Sequence, residues 1–153
     1  MTNLTGKFSR GTVKYSILDE PIFTYACHCR LRQRYTASAF LVHSPIEMSN
    51  FSLDQGDLVT TPGPSGSSGG YFIKRCKNCS DQIYSHFFGN SKVAVLKTTT
   101  LDEANRFPPQ AHIYVKNKLS WIELGDRIPQ FGEFYDFEKI YSPASLARRK
   151  KLG

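Results

Sequence analysis

Short runs of alternating apolar and polar residues recur along the chain, and no stretch carries a long helical period. Val13, Tyr15 and Ile17 alternate with polar neighbours across residues 11–18, which is the pattern of a half-buried strand. Asp19-Glu20-Pro21 marks a turn, since proline and acidic residues favour chain reversal. Residues 22–29 are rich in β-branched and aromatic side chains and predict a second strand. Residues 31–37 read as a short irregular or helical turn. Residues 38–43 form another apolar strand, closed by Ser44-Pro45. Residues 51–60 hold one or two short strands about Gln55-Gly56-Asp57, and further strands are predicted at 71–75, 81–88, 93–97, 112–115 and 119–124. Residues 101–104 make no more than a helical turn, ended by Pro108-Pro109.

The strongest break lies at 61–70, a Pro-, Gly- and Ser-rich stretch that reads as a surface loop, with a lid over a pocket as the less favoured reading. Beyond Asp126 the chain is irregular but aromatic, with Phe131, Phe134, Tyr135, Phe137 and Tyr141. Such residues more often plug a core than bind a cofactor. Residues 145–151 suggest a frayed basic helix. Many short strands with turn signals between them predict a mainly β fold.

At 153 residues, 40% hydrophobic and 13% aromatic, the chain has the composition of one folded domain. The division expected is a domain at 1–135 and a C-terminal extension with a basic tail at 136–153. The net charge of +7 is concentrated partly in Arg148-Arg149-Lys150-Lys151 and partly in Arg30, Arg32 and Arg34. A basic balance suits nucleic acid, an anionic ligand or a solvated surface. No aromatic–basic interleaving or recognition helix supports nucleic acid. The first ten residues are polar and no apolar run would span a bilayer, so a cytoplasmic protein without a membrane partner is expected.

The four cysteines come in two pairs, Cys27-His28-Cys29 and Cys76-Lys77-Asn78-Cys79. In a reducing compartment such pairs point to metal or redox chemistry before structural disulfides. Alternation along a strand turns Cys27 and Cys29 to one face and His28 to the other. A C-x-x-C between two strands presents both sulfurs from a tight turn, as zinc knuckles do.

The residues around these pairs resemble a known family. Cys27-His28-Cys29, Gln33-Arg34 and Ala37-Ser38-Ala39-Phe40 resemble the C-H-C-x-x-C-(Q/R)-(R/K)-x-x-G-S-A-F signature of the glutathione-dependent formaldehyde-activating (GFA) and centromere protein V family. Arg75 to Ser80 resembles its R-F-C-x-x-C-G segment, Thr98-Thr99-Thr100-Leu101-Asp102 its G-T-L-D-D stretch, and Pro109 to Val115 with Ser120-Trp121 its P-x-x-H-I-x-V…W pattern. Gly6 and Gly11-Thr12-Val13-Lys14-Tyr15 resemble its opening. The resemblance runs from about residue 4 to 131. It implies a β-tent fold of short antiparallel sheets and a carbon-sulfur lyase-like activity joining glutathione to formaldehyde. It also implies two zinc ions: a structural one on an N-terminal C-x-C and the later C-x-x-C, and a catalytic one on C-x-C-x-x-C.

The chain departs from that pattern at its ligands. Phe8 and Arg10 stand at the N-terminal cysteines, Arg32 at the third catalytic cysteine, Ala37 and Ser80 at two glycines. Three readings follow. Both zinc sites are gone, with Phe8 packing in place of the metal; or Cys27 and Cys29 keep one zinc, completed by His43, His86, His112, a carboxylate or water; or Cys27, Cys29, Cys76 and Cys79 gather round one ion. At most one well-held zinc is expected. If activity survives, Cys27 and Cys29 are the catalytic thiols, and Arg30, Arg32 and Arg34 clamp the carboxylates of a small thiol or anionic ligand such as glutathione. The alternative is a non-catalytic module for a small anion or a protein on the same scaffold.

Overall fold

The computed structural model describes residues 3–63 and 70–153. Within these residues ten short strands form two sheets. The small sheet is antiparallel, β1 (Leu4–Lys7), β2 (Lys14–Ile17) and β5 (Phe51–Gln55), in the order β1-β2-β5. The large sheet holds β3 (Tyr25–Cys27), β4 (Leu41–Glu47), β6 (Leu58–Pro62), β7 (Tyr71–Cys76), β8 (Gln82–Phe87), β9 (Val93–Lys97) and β10 (Ala111–Ile113). Its order is β10-β3-β4-β9-β8-β7-β6, antiparallel except for the β10–β3 pair. Among the described residues there are three α-helices, α1 (Arg30–Thr36), α2 (Phe137–Ile140) and α3 (Pro143–Lys150). The protein is mainly β, as its pattern predicts. Among the described residues no helix is long and apolar enough to cross a membrane.

The alternation of Val13, Tyr15 and Ile17 does what it predicts. All three are buried, and they pack with Leu4 and Phe8 against Ile46, Ile83, Tyr84 and Leu96 of the large sheet. Gly6 makes this approach possible: a Cβ there would lie 2.3 Å from the Tyr15 ring. A second cluster gathers Phe23, Tyr25, Cys27, Ala111, Ile113 and Tyr135 at the other end of the large sheet. The C-terminal aromatics close it, since Tyr135 and Tyr141 set their rings edge-on to Phe23. The last helix is then pinned by Arg148, whose guanidinium meets both carboxylate oxygens of Glu47 at 2.7 Å.

Several expectations are corrected. The strand expected at 22–29 is only β3, because the chain leaves the sheet at His28 to start α1 at Arg30. The following strand does not stop at Ser44-Pro45: β4 runs through to Glu47. Pro45 is tolerated because its carbonyl, bound by Ile22 N–H at 2.9 Å, faces the side where β3 has not yet begun. Its missing N–H faces that side too, so no ladder bond is lost. Residues 119–124 form no strand. Instead the Lys118 ammonium donates to the carbonyls of Leu119 and Ile122, and Trp121 is left 70% exposed. The two strands about Gly56 are both present but enter different sheets. Most of the 61–70 break, residues 64–69, lies outside the described residues, and with it the choice between loop and lid.

Candidate functional site

The end of β3 and the start of α1 bring together the first cysteine pair. Cys27 is buried at the strand's last position. Cys29 is half-buried and caps α1, its sulfur accepting the Arg32 backbone N–H at 3.5 Å. The expected split of faces holds: Cys27 and Cys29 join the aromatic cluster, while His28 turns away to meet His112, Nε2 to Nδ1, at 3.0 Å. Burial, with the neighbouring His112 and Lys118, pushes His28 down to about 4, so it stays neutral.

The two thiols differ. Hydrogen bonding from the Cys27 thiol, the Arg32 N–H and the Arg32 charge together outweigh burial and hold Cys29 down to about 6. Cys27 moves up instead, because its proton is the one shared with Cys29 and because it is buried. The shared proton thus favours Cys27, and Cys29 is the more acidic sulfur of the pair.

Helix geometry separates the three arginines. Positions two apart on an α-helix lie on nearly opposite faces. Arg32 turns inward and is 8% exposed, whereas Arg30 and Arg34 stay outside and line a shallow groove with Trp121. The Arg32 guanidinium stacks over Tyr71 at 4.6 Å, Phe87 at 5.2 Å and Tyr35 at 5.6 Å. Its buried Nε has no hydrogen-bond partner and no carboxylate pairs with it among the described residues.

Behind Arg32 lies a polar network that the sequence reading missed. Lys97, at the end of β9, is 4% exposed, and its ammonium donates to Ser85 Oγ at 3.1 Å and Tyr71 Oη at 3.3 Å. Tyr71 in turn meets the Tyr35 hydroxyl at 2.7 Å. Burial alone would raise the Tyr71 phenol, but the Lys97 and Arg32 charges outweigh it and bring it down. His43, opposite Lys97 in the β4–β9 register, is buried against Tyr25 and held well below its ordinary value by burial and the same two cations. The signal that would have found Lys97 is the run Val93-Ala94-Val95-Leu96. A strand apolar on both faces is central in its sheet, so the residue that ends it is also covered.

The second cysteine pair lies elsewhere. Cys76 ends β7 and sits in the first core cluster, with Cys79 packed against it and Phe8 in the same cluster. The Asn78 and Cys79 N–H groups still point at Cys76 Sγ, at 3.4 and 3.5 Å, so the knuckle shape persists. Those bonds, the Cys79 N–H foremost, bring the Cys76 thiol below its ordinary value. Three strands of the sheet separate β7 from β3. The four cysteines therefore form two centres, and the single four-sulfur site is not built.

The family model for the glutathione-dependent formaldehyde-activating enzyme matches residues 3–117. The chain belongs to the GFA family. A crystal structure of a Rhodobacter sphaeroides protein is similar at 14% identity, with 82% of this chain and 98% of that one covered and a TM-score of 0.48. No curated protein matches the chain.

The zinc ions of the GFA pattern do not fit the residues present. Where that pattern places a third sulfur, this chain has Arg32, which has no lone pair to give and is a cation besides. Around Cys76 and Cys79 the other two places are taken by the core ring of Phe8 and by exposed Arg10. Two sulfurs fall short of the three or four donors that hold zinc well. None of the three histidines makes up the number: His112 pairs with His28, His86 bonds the Val93 carbonyl at 2.8 Å, and His43 stacks on Tyr25. Among the described residues no group of three or more His, Cys, Asp or Glu side chains is arranged for a metal ion. The GFA glycines replaced by Ala37 and Ser80 keep the glycine backbone, with φ of 52° and 67°.

Proposed function

We propose that this GFA-family protein performs reversible thiol–aldehyde chemistry without a metal, on a small glutathione-type thiol and its aldehyde adduct. The observation that carries the reading is the Cys29 sulfur close to the charge of an inward-facing Arg32 that pairs with no carboxylate among the described residues. A thiolate is the reactive form of cysteine, and a neighbouring arginine favours it at neutral pH. In the forward step the Cys29 sulfur adds to the aldehyde carbon, a carbon–sulfur bond forms, and the carbonyl oxygen takes up one proton to give a hemithioacetal. Breaking that bond returns the Cys29 thiolate, the aldehyde and the proton beside the bound glutathione, whose thiolate adds to the same carbon with uptake of one proton to give the S-hydroxyalkyl adduct. Arg32 is suited to hold the oxygen while it carries charge, the task that fixed donors perform at developing oxyanions.

The test is formation of S-hydroxymethylglutathione from glutathione and formaldehyde, followed against the uncatalysed background. Acceleration that survives a chelator and is lost in Cys29→Ser is expected. A rate equal to background sinks the proposal. The unpaired guanidinium favours a second reading, a binding module for a small anion. It is distinguished by glutathione binding that persists without turnover and is lost in Arg32→Met.

A further inference from the structure

A groove of about 740 Å³ opens between the two sheets, and its lining includes Lys97, Tyr35, Leu41, Thr100 and Arg75. Lys97 is the unusual member. A lysine ammonium is rarely covered unless a carboxylate compensates it, yet among the described residues no Asp or Glu pairs with this one. What faces it instead is the Tyr71 hydroxyl from β7, the Ser85 hydroxyl from β8, His43 from β4, the Cys27 thiol from β3 and the Arg32 guanidinium from α1. This is the setting that releases an amine from its proton, a desolvated lysine with a second cation nearby.

We infer that Lys97, which contributes to the lining of this groove, is an amine nucleophile that condenses reversibly with a small aldehyde admitted through it. The Nζ lone pair attacks the carbonyl carbon, and a proton passes from nitrogen to oxygen to give a carbinolamine. Loss of water then leaves a C=N bond, so amine plus aldehyde becomes imine plus water with no change in oxidation level. The Ser85 and Tyr71 hydroxyls, at 3.1 and 3.3 Å from Nζ, are the groups placed to pass these protons. Burial, aided by Arg32 and opposed by Tyr71, holds the amine down to about 8. At pH 7 roughly a tenth of it is then the free base, against well under a thousandth of an ordinary lysine. The reaction is separate from that at Cys29, for it uses a different nucleophile.

The experiment is brief treatment of the whole protein with acetaldehyde and cyanoborohydride at pH 7, then peptide mass mapping of ethylated lysines. Lys97 should be labelled at least about tenfold faster than the exposed lysines, since free-base fraction sets the intrinsic rate. Unfolding in guanidinium should erase the difference, and Ser85→Ala should shrink it. The same map on Cys29→Ser should be unchanged, which separates this site from the thiol chemistry. Labelling of Lys97 no faster than that of exposed lysines, or equal rates in folded and unfolded protein, would overturn the inference.

Discussion

Replacing Arg32 with methionine should leave the protein as stable as before or more so, while taking away the acidity of Cys29. The guanidinium gains cation–π attraction from three rings, the nearest at 4.6 Å, worth about 2 kcal/mol when desolvated. Against this stands the cost of covering a charge, several kcal/mol per ion even after relaxation. Among the described residues no carboxylate offsets it; the Cys29 sulfur, held below its ordinary thiol value, is the acidic group that answers the charge. Methionine fills similar volume and its sulfur also favours aromatic rings, by about 0.3–1.5 kcal/mol. Cys29 is not stranded by the change, because it can take up a proton. The balance favours Arg32→Met by about 1–2 kcal/mol, in line with other buried ions exchanged for apolar groups. That is a rise of roughly 2–8 °C in Tm for a chain of this size. Urea unfolding at pH 7 measures the first part. The pH dependence of iodoacetamide labelling at Cys29 measures the second, with a midpoint that climbs from about 6 towards the ordinary thiol range. A loss of more than about 1 kcal/mol would refute the reasoning, since it would mean that the guanidinium holds the fold together.

Two further changes test other parts of the structure. Ala37→Gly should stabilise by about 1 kcal/mol in urea unfolding, because Ala37 sits at φ 52° in the left-handed cap of α1, where a Cβ is penalised. Arg148→Ala should cost about 1–3 kcal/mol, since it leaves a largely buried Glu47 without its fork and frees the last helix. Burial raises the Glu47 carboxyl, but the Arg148 bonds outweigh it, so the folded value is lowered. That contribution is fully present above the unfolded value near 4.5 and fades as pH falls through the folded one. The gap between wild type and Arg148→Ala should therefore be full at pH 7 and shrink below about pH 4.5.

Where a segment's own period decided its fate, the sequence was readable. Val13, Tyr15 and Ile17 alternate and are buried together, and the strands flanking Cys76 and Cys79 stand where their apolar residues predict. The site was readable as far as its cysteines, because C-x-C spacing fixes which side chains share a face. What lay beyond depends on tertiary context. Three arginines in five residues look like one basic patch until α1 turns the middle one inward. Pro45 looks like a strand end until β3 proves too short to need its N–H. Lys97 gains its burial from the strands on either side of β9, and no local pattern shows which strands those are.

Phe8 has a consequence for how the chain is made and kept. A zinc-closed domain is only as durable as its ion supply: chelators, acid and thiol oxidation all loosen it, and synthesis must wait for metal. Here a phenyl ring already fills the space between the N-terminal hairpin and Cys76. The N-terminal sheet can thus mature under metal starvation, since its seam with the large sheet is closed by a ring. Cys76 and Cys79 then serve that seam as small packed side chains, whereas Cys29 keeps a chemical role from its neighbouring cation.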